Sequence, residues 1–570
     1  MSAPAAAPVE PSADRRWWSL AVLAAGLSMI VLDGTIVGVA LPTIIRDLAL
    51  DLTDAQWVSS LYAMVFAALL LTFGRVADRL GRRTVFVAGI VVFALGSVLA
   101  GVAGDGATLI GSRALQGVGG AMILPTTLST VNATFRGADR ARAFGVWGAV
   151  MAGMAAIGPL LGGWLTTSFD WRWIFYVNVP FGLLILLGTA YAVPQTTGAP
   201  AGPGLDVDGL LTSGLGMALV VFGLIEGTSL GWWTPTTDFT VLGLTWPATA
   251  PVSIAPVAIA LGLVFLGLFV LWERHRARNG RDALLDLTLF RIRTFSWGNT
   301  TAMAVAAGEF ALVFLLPLHL VNVLGLDVLG AGLVLAAMAL GAFFSGAQAR
   351  HLAARWTPPT VVLIGLGLEL LGVLVTLALL GPDASPWLVA ATLVVYGVGL
   401  GLASAQLTST VLADVPTEQS GSASATQSTA RQVGSAIGTA LAGSTLAVGL
   451  AHTLPDRLAG IAGLPASVAQ SLAASTAQSA GGLIPALRAQ GVHGPLGGLG
   501  PAVTDALAAG FAAATQLAML SAAAFVALGL LGAVRVRHVA RAGATAALLR
   551  GVSAGVGGPE APVGPHQHES

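Results

Sequence analysis

The chain of 570 residues is 55% hydrophobic and only 9% charged, and its mean hydropathy is +0.83. Soluble domains carry about 25% charged residues, so this composition excludes a protein that covers itself with a water-facing surface. The lack of cysteine excludes disulfides, thiolate metal sites and cysteine nucleophiles. The formal net charge is zero, which gives no reason to expect a nucleic-acid partner.

Apolar segments recur along the whole chain. A helix that crosses the hydrocarbon core of a bilayer takes about 20 residues. Fourteen segments reach that length, at 18–40, 55–74, 84–103, 107–130, 144–168, 174–193, 209–231, 253–273, 297–321, 329–349, 360–380, 387–412, 431–451 and 508–534. The first run is too long for a signal peptide and is read as the first span. The sequence predicts an all-α membrane protein with about 14 transmembrane helices.

The basic residues test this topology, because they accumulate on the cytoplasmic side of membrane proteins. All 27 are arginine. With both termini in the cytoplasm, 21 fall on the cytoplasmic side and four outside, while Arg113 and Arg431 lie within or at the edge of spans. The outer four are Arg46, Arg172, Arg457 and Arg488. We therefore predict that both termini are cytoplasmic.

Two long connections indicate how the spans are grouped. A Pro- and Gly-rich linker at 194–208 follows the sixth span, and an outer loop rich in Ala, Gly and Ser covers 452–506. A weak repeat of the segment after the second span follows the tenth span. Repeated halves of this kind are common in transporters. The predicted organisation is a tail at 1–16, a six-helix half at 17–195, a linker with two inserted helices at 196–294, a second six-helix half at 295–534 and a tail at 535–570.

Residues 74–83 form the pattern G-x-x-x-D-R-x-G-R-R between the second and third spans. Gly74 allows close backbone approach, Gly81 suits a tight turn, and Asp78 can pair with an arginine or accept hydrogen bonds from a helix N-terminus. Positive-inside bias alone predicts a basic loop, but not this acid within it. The pattern resembles the signature loop of the major facilitator superfamily. The resemblance implies a conformational latch of Gly74, Asp78, Arg79, Gly81, Arg82 and Arg83. We place Asp78 near the start of the thirteenth helix, around 429–432.

The fourth span carries a buried cation. Arg113 opens the segment R-A-L-Q-G-V-G-G-A, with Gln116 on the same helical face. A charge inside a span is costly and indicates function by default; the alternative is an arginine that extends to the outer membrane surface. The segment resembles the fourth-helix motif of the same superfamily, which implies that Arg113 takes part in proton coupling.

The fifth span contains the string G-x-x-x-x-G-P-x-x-G-G. Glycines four apart let helices pack backbone to backbone, and Gly-Pro introduces a bend. General helix packing explains isolated glycines, but the full string resembles the motif that marks antiporters in the superfamily. Its residues are Gly153, Gly158, Pro159, Gly162 and Gly163.

Three further strings, at 32–42, 171–180 and 421–434, resemble the 14-helix drug:proton antiporter family in particular. In the first string Gly38 stands where that family usually has asparagine. The resemblance covers nearly the whole chain outside the two tails and the outer loop.

Four acids lie inside predicted spans rather than at their end residues. A buried carboxyl group prefers to be neutral unless it is paired or hydrated, which is the property that a proton carrier needs. Asp33 lies deepest in a matched motif and is the first candidate, and Glu309 is the second. Glu226, near the end of an inserted helix, is as readily a structural pair, and Glu369 is as readily a packing residue on a peripheral helix.

The resemblance implies a proton-coupled antiporter of the bacterial cytoplasmic membrane, which exports small amphipathic drugs or antibiotics, cationic ones included. Alternating access would operate around a cavity lined by the first, fourth, ninth and thirteenth helices. The expected partners are this small molecule, protons and the lipid bilayer; no cofactor, metal or enzymatic activity is expected. The main alternative is a proton-coupled importer of a small nutrient. A membrane-embedded enzyme or receptor would need a convergent catalytic set, and the sequence offers only scattered single residues.

Overall fold

The computed structural model describes residues 13–135, 137–197, 206–241, 243–281, 283–416 and 419–555. Most of the predicted tail at 1–16, the end of the tail at 535–570 and the middle of the linker at 194–208 lie outside these ranges.

The described chain is almost entirely helical. The first set of helices is α1 (Ala13–Asp47), α2 (Leu52–Leu80), α3 (Arg82–Gly101), α4 (Gly106–Thr134), α5 (Gly137–Ser168), α6 (Trp173–Tyr176) and α7 (Asn178–Ala192). Two helices follow, α8 (Val207–Glu226) and α9 (Ile254–Arg278), joined by a hairpin of β1 (Phe239–Val241) and β2 (Leu244–Trp246). The last set is α10 (Arg293–Leu318), α11 (Val328–Trp356), α12 (Pro358–Leu379), α13 (Pro386–Val411), α14 (Ser420–Ala459), α15 (Ala466–Gln478), α16 (Leu483–Gln490) and α17 (Gly500–Gly555).

Twelve helices of the described chain are long and apolar enough to cross a membrane, with α6 and α7 counted together as one. The helices α4 (29 residues) and α5 (32 residues) occupy the fourth and fifth predicted spans but are not among the twelve. In α4, Arg113 and Gln116 stand among many Gly, Ser and Thr residues, and these lower its mean hydropathy. The helical membrane fold is confirmed with twelve candidate spans, and the count of fourteen stays a prediction. The hairpin of β1 and β2 was not predicted.

Matching helix pairs pack together in two groups, which we call the first group (α1 to α7) and the second group (α10 to α14 with α17). The contacts of α1 with α5, α3 with α4 and α2 with α4 have counterparts in α10 with α14, α12 with α13 and α11 with α13. The inserted helices α8 and α9 pack on each other, and α8 contacts both α2 and α14. The exact domain boundaries stay a prediction.

The ends of the molecule differ in arginine content. Successive long helices joined by short turns run in opposite directions, so the α2–α3, α4–α5 and α11–α12 turns share one end. This is the arginine-rich end, and the opposite one, with the α1–α2 and α3–α4 turns, is the arginine-poor end.

The two groups share a single core at the arginine-poor end. This core joins Ile36 and Leu41 of α1 to Leu315 of α10, Leu335 of α11 and Leu446 of α14, all of them buried. Toward the arginine-rich end each group has a core of its own. The first group packs around residues such as Leu23, Phe86 and Val131, and the second around Phe295, Leu366 and Leu407. A smaller cluster near the middle of the helices joins Ala67 of α2 to Ala436 of α14 and to α8. The groups are therefore joined mainly at the arginine-poor end and near the middle.

Small residues bring the backbones of the two groups together there. An added Cβ at Gly163 would lie 2.9 Å from the carbonyl oxygen of Val328, and one at Gly332 would lie 2.5 Å from that of Pro159. On the other side of the molecule, the hydroxyl of Ser444 on α14 lies 3.5 Å from the side-chain oxygen of Gln56 on α2. Such close contacts supply the van der Waals packing that joins helices in lipid, where water is not expelled.

We expect cysteines that replace Gln56 and Ser444 to be linked by a short thiol-reactive cross-linker, because these side chains meet between the two groups at the arginine-poor end. The chain has no natural cysteine, so the double variant Gln56→Cys/Ser444→Cys contains the only thiols. The measurement is the cross-linked fraction in membranes, read as a mobility shift on denaturing gels. Each single variant is the control, and a double variant that stays unlinked would contradict this arrangement of the groups.

Candidate functional site

The carboxylate of Asp33 lies midway along α1 and is fully buried (0% exposed). It accepts three hydrogen bonds from side chains of two other helices. Arg113 Nη1 of α4 lies 2.5 Å from Oδ2, while Gln116 Nε2 of α4 and Asn178 Nδ2 of α7 lie 2.9 and 3.3 Å from Oδ1. The hydroxyl of Ser97 on α3 accepts from the same two amides, at 2.9 and 3.2 Å. We call these five residues the first polar cluster.

The Arg113 side chain is surrounded by polar and aromatic partners and does not extend to the membrane surface. Its side chain is 2% exposed. Besides Asp33, it donates from Nη1 to the Gln116 carbonyl oxygen at 2.7 Å and from Nε to the Val58 carbonyl at 3.2 Å. The guanidinium also lies 4.3 Å from the ring centre of Tyr62, a cation–π distance. The predicted alternative of a snorkelling arginine does not describe this structure.

A charge pair this deeply buried is sensitive to a single proton. Removal of one partner from a buried ion pair typically costs about 3–5 kcal/mol, since the other charge is left uncompensated. A proton on Asp33 has the same electrostatic effect, because Arg113 then faces a neutral group. The site can therefore exist in two charge states, with different strengths of contact between α1 and α4.

The signature loop fastens helices of the first group at the arginine-rich end. Gly81 has φ +100°, a conformation that favours glycine, and it links α2 directly to α3. Arg82 donates to Asp78 at 2.9 Å and to the Ser129 carbonyl of α4 at 3.0 Å. Arg83 donates to the Ala190 carbonyl of α7 at 3.3 Å. Gly74 lies beside Pro125 of α4, and Arg79 lies in the last turn of α2.

Among the described residues, no hydrogen bond joins Asp78 to the start of the thirteenth predicted span, around 429–432, which belongs to α14 in the structure. Asp78 is partly exposed (39%), and its bonds are to Arg82. The latch role of this loop stays a prediction, and it concerns a conformation in which the arginine-rich ends approach each other.

The glycine string of α5 lies where α5 crosses α1 and α11. An added Cβ would lie 2.8 Å from Thr35 Cβ at Gly158 and 2.8 Å from Ile36 Cγ1 at Gly162. Both neighbours follow Asp33 on α1 within one turn. The carbonyl of Pro159 and the next glycine, Gly163, face α11, as described above. Gly153 differs, since an added Cβ there would lie an ordinary 3.8 Å from the Phe343 ring.

The remaining acids are placed differently. Glu309 of α10 lies 3.5 Å from Arg431 of α14, and the two side chains are 17% and 30% exposed. Glu226 accepts a hydrogen bond from Trp57 Nε1 at 2.9 Å, which ties α8 to α2. Glu369 of α12 is 0% exposed, and neither of its oxygens has a hydrogen-bond partner among the residues that the structure describes.

Sequence reasoning missed several polar contributors. Asn178 lies within the string at 171–180 and could have been singled out as a buried amide in a span, whereas Ser97 carries no signal in the sequence.

Sequence reasoning also missed a polar cluster at the arginine-rich ends of the inserted helices α8 and α9. There the buried Asp206 accepts from Trp272 at 2.8 Å and pairs with Arg276 at 3.2 Å. Acids and arginines at the ends of spans are too common to reveal this cluster in advance.

Comparison with known proteins gives consistent results. The family model described as Major Facilitator Superfamily matches residues 23–439. The puromycin resistance protein pur8 of Streptomyces alboniger is 35% identical over 76% of this chain and 84% of its own length. The multidrug efflux pump LfrA of Mycolicibacterium smegmatis is 33% identical over 75% of this chain and 81% of its own length.

A solved structure supports the fold independently of close sequence similarity. A bacterial homologue of the human lysosomal transporter Spinster, described as inward-facing and unoccupied, superposes with a TM-score of 0.60. It covers 93% of this chain and 99% of its own at 16% identity. Since the family model matches most of the chain and two relatives exceed 30% identity over about three quarters of it, this protein belongs to the major facilitator superfamily of membrane transporters.

Proposed function

We propose that this transporter is a proton-coupled antiporter that exports small amphipathic compounds across the bacterial cytoplasmic membrane. The observation that carries the proposal is the fully buried ion pair of Asp33 and Arg113, whose strength one proton can change. The efflux and resistance proteins among its relatives support export of drugs or antibiotics.

The arginine-rich end is assigned to the cytoplasm by the positive-inside rule, so both termini are cytoplasmic. The present conformation is then open inward, because the groups are joined at the arginine-poor end and have separate cores at the other. Substrate enters from the cytoplasm into the space between the groups. Glu309 and Arg431, which are partly exposed and on different helices of the second group, are suitable contacts for it.

A proton on Asp33 weakens its hold on Arg113 and frees that cation to interact elsewhere. Because α1 also contacts α5 at Gly158 and Gly162, and α5 contacts α11, a change at Asp33 reaches the contact between the groups through packed backbones. One cycle of conformational change would thereby move substrate outward and protons inward, with one of the two bound at each step.

A nutrient importer on the same fold remains the competing function. The relatives named for resistance and efflux do not favour it, and the direction of flux in vesicles with an imposed pH gradient separates the two. Puromycin, the compound in the name of the puromycin resistance protein pur8, is a reasonable first compound to test.

Asp33→Asn is expected to abolish puromycin transport driven by a pH gradient in proteoliposomes. Asparagine keeps the shape and the hydrogen bonds to Gln116 and Asn178, but it has no proton to exchange and leaves Arg113 without a counter-charge. The direct readout is the number of protons released on addition of puromycin to the solubilised protein, which should fall.

Arg113→Ala is the companion variant. It removes the other charge, so puromycin should still bind while the pH dependence of transport is lost. Gradient-driven accumulation by Asp33→Asn at the wild-type rate would refute the coupling role of the pair. A normal size-exclusion profile is required of both variants, since the loss of one ion-pair partner is destabilising.

Gly158→Ala is expected to impair transport strongly, and Gly153→Ala only slightly. The added methyl at Gly158 overlaps Thr35, and overpacking of this kind typically costs about 1–3 kcal/mol, whereas Gly153 has room for it. The cross-linked fraction of the Gln56→Cys/Ser444→Cys pair measures the effect on the conformational balance in each background. Equal values for the two alanine variants would show that the α5–α1 contact does not control this balance.

A further inference from the structure

Within the described parts of the chain, one buried acid has no hydrogen-bond donor to its carboxyl group. Glu369 lies midway along α12, about 16 Å of helix rise from Pro358, so it lies near the middle of the membrane. It is 0% exposed, and neither carboxyl oxygen has a hydrogen-bond partner. On α13, the hydroxyl of the fully buried Tyr396 also lacks a partner. Two unpartnered polar groups on neighbouring helices are unusual in a packed interior.

The other three acids that the sequence places in spans each have a donor in this conformation. Asp33 accepts from Arg113, Glu226 from Trp57 and Glu309 from Arg431. An ionised carboxylate without a donor is far more costly to bury than a neutral carboxylic acid. Glu369 is therefore the acid among these four that is best suited to hold a proton here.

The packing of α12 against α13 keeps the Glu369 side chain out of contact with lipid and water. An added Cβ at Gly399 of α13 would lie 3.0 Å from Glu369 Cγ, and one at Gly372 of α12 would lie 2.7 Å from Tyr396 Cα. The two glycines let α12 and α13 approach until their polar side chains are enclosed between them. A residue that only filled space here would not need a carboxyl group.

The position of this pair repeats the plan of the first polar cluster. In the first group, polar residues on α1, α3 and α4 meet: Asp33, Ser97 and Arg113. The packing of α10, α12 and α13 matches that of α1, α3 and α4, and these helices carry Glu309, Glu369 and Tyr396. Each group thus carries polar residues on corresponding helices.

The charged and titratable groups within electrostatic range of Glu369 come from three other helices. They are Tyr396 of α13, Glu309 of α10 and Arg431 of α14. In this conformation Arg431 is paired with Glu309, so its charge is already compensated. If a substrate displaces that pairing, Arg431 becomes available to Glu369 as a counter-charge.

We propose that Glu369, enclosed with Tyr396, is a second proton-binding site that is loaded in the conformation seen here. On release, the carboxylic acid dissociates to a carboxylate, the proton passes to water between the two groups of helices, and Arg431 compensates the new negative charge. The site is separate from Asp33, and its place in the transport cycle rests on the proposed antiport.

Infrared spectroscopy of the full-length protein in lipid tests the protonation directly. The wild type at neutral pH, without substrate, is expected to show the carbonyl-stretch band of a protonated carboxylic acid. Glu369→Gln should lower the intensity of this band. Asp33→Asn is the matched control and should keep it, because Asp33 lies in the other group of helices and the change leaves Glu369 in place. A band of wild-type intensity in correctly folded Glu369→Gln overturns the proposal.

A second variant covers the case in which Glu369→Gln does not accumulate in the membrane. Tyr396→Phe keeps the acid and removes the hydroxyl on α13 that lies within electrostatic range of it, so the same band should persist at a shifted frequency. A wild-type spectrum without any protonated-carboxyl band would overturn the proposal whatever the variants do. Neither measurement involves transport, so their failure is distinct from failure of the proposed antiport.

The role in the cycle is tested by counting protons released per puromycin bound. The expected result for Glu369→Gln is a lower count with puromycin binding retained, and for Asp33→Asn also a lower count. An unchanged count in Glu369→Gln would restrict coupling to Asp33 and refute the role of Glu369 in the cycle. If even the wild type releases no protons, the proposed antiport itself fails, whereas the infrared result still decides the protonation of Glu369.

Discussion

The ion pair between Asp33 and Arg113 is the constraint on which the first group of helices depends. An arginine in the middle of a membrane protein must be paired, and here its partners come from α1, α2 and its own helix. Asn178 of α7 and Ser97 of α3 complete the network around Asp33. Helices that share such a network cannot separate without exposing a charge to lipid, so the first group is expected to move as one body. The motion needed for transport is then left to the contact between the groups.

That contact is made of small residues rather than of charges. Gly163 against Val328 and Gly332 against Pro159 bring backbones together without any polar bond that must be broken. Contacts of this kind are short-ranged, so a small rotation loses them and a small rotation restores them. A joint that opens and closes in every cycle benefits from this property. The glycine string therefore connects α1, next to Asp33, with the surface of α11 in the second group.

Much of this arrangement could be predicted from the sequence, and the reasons are physical. Spans of about 20 apolar residues and the placement of arginine are strong signals, because both follow from the cost of polar groups in hydrocarbon. Arg113 and Asp33 were identified for the same reason. Their mutual contact was not, since nothing in the chain specifies which residue of α1 faces which residue of α4. Ser97 and Asn178 illustrate the limit, because a serine or an amide in a span is inexpensive enough to occur without function. Glu369 was predicted to lie on a peripheral helix, and α12 does lie beside α13 and α17; burial of its carboxyl group arises from Gly399, thirty residues away in the chain.

The two groups also differ in a way that bears on coupling. The pair of Asp33 and Arg113 is short, enclosed and supported by two amides, whereas the pair of Glu309 and Arg431 is longer, at 3.5 Å, and partly exposed. A substrate that competes for a charge can reach the second pair far more easily than the first. Disturbance of the second pair changes the charge next to Glu369, which has no partner of its own. Binding of a cationic or polar compound near Arg431 can thus alter proton affinity at a neighbouring buried acid without touching it. Under the proposed antiport, substrate binding acts on the second group and protonation of Asp33 acts on the first, and the glycine contact between the groups makes both act on one conformational equilibrium.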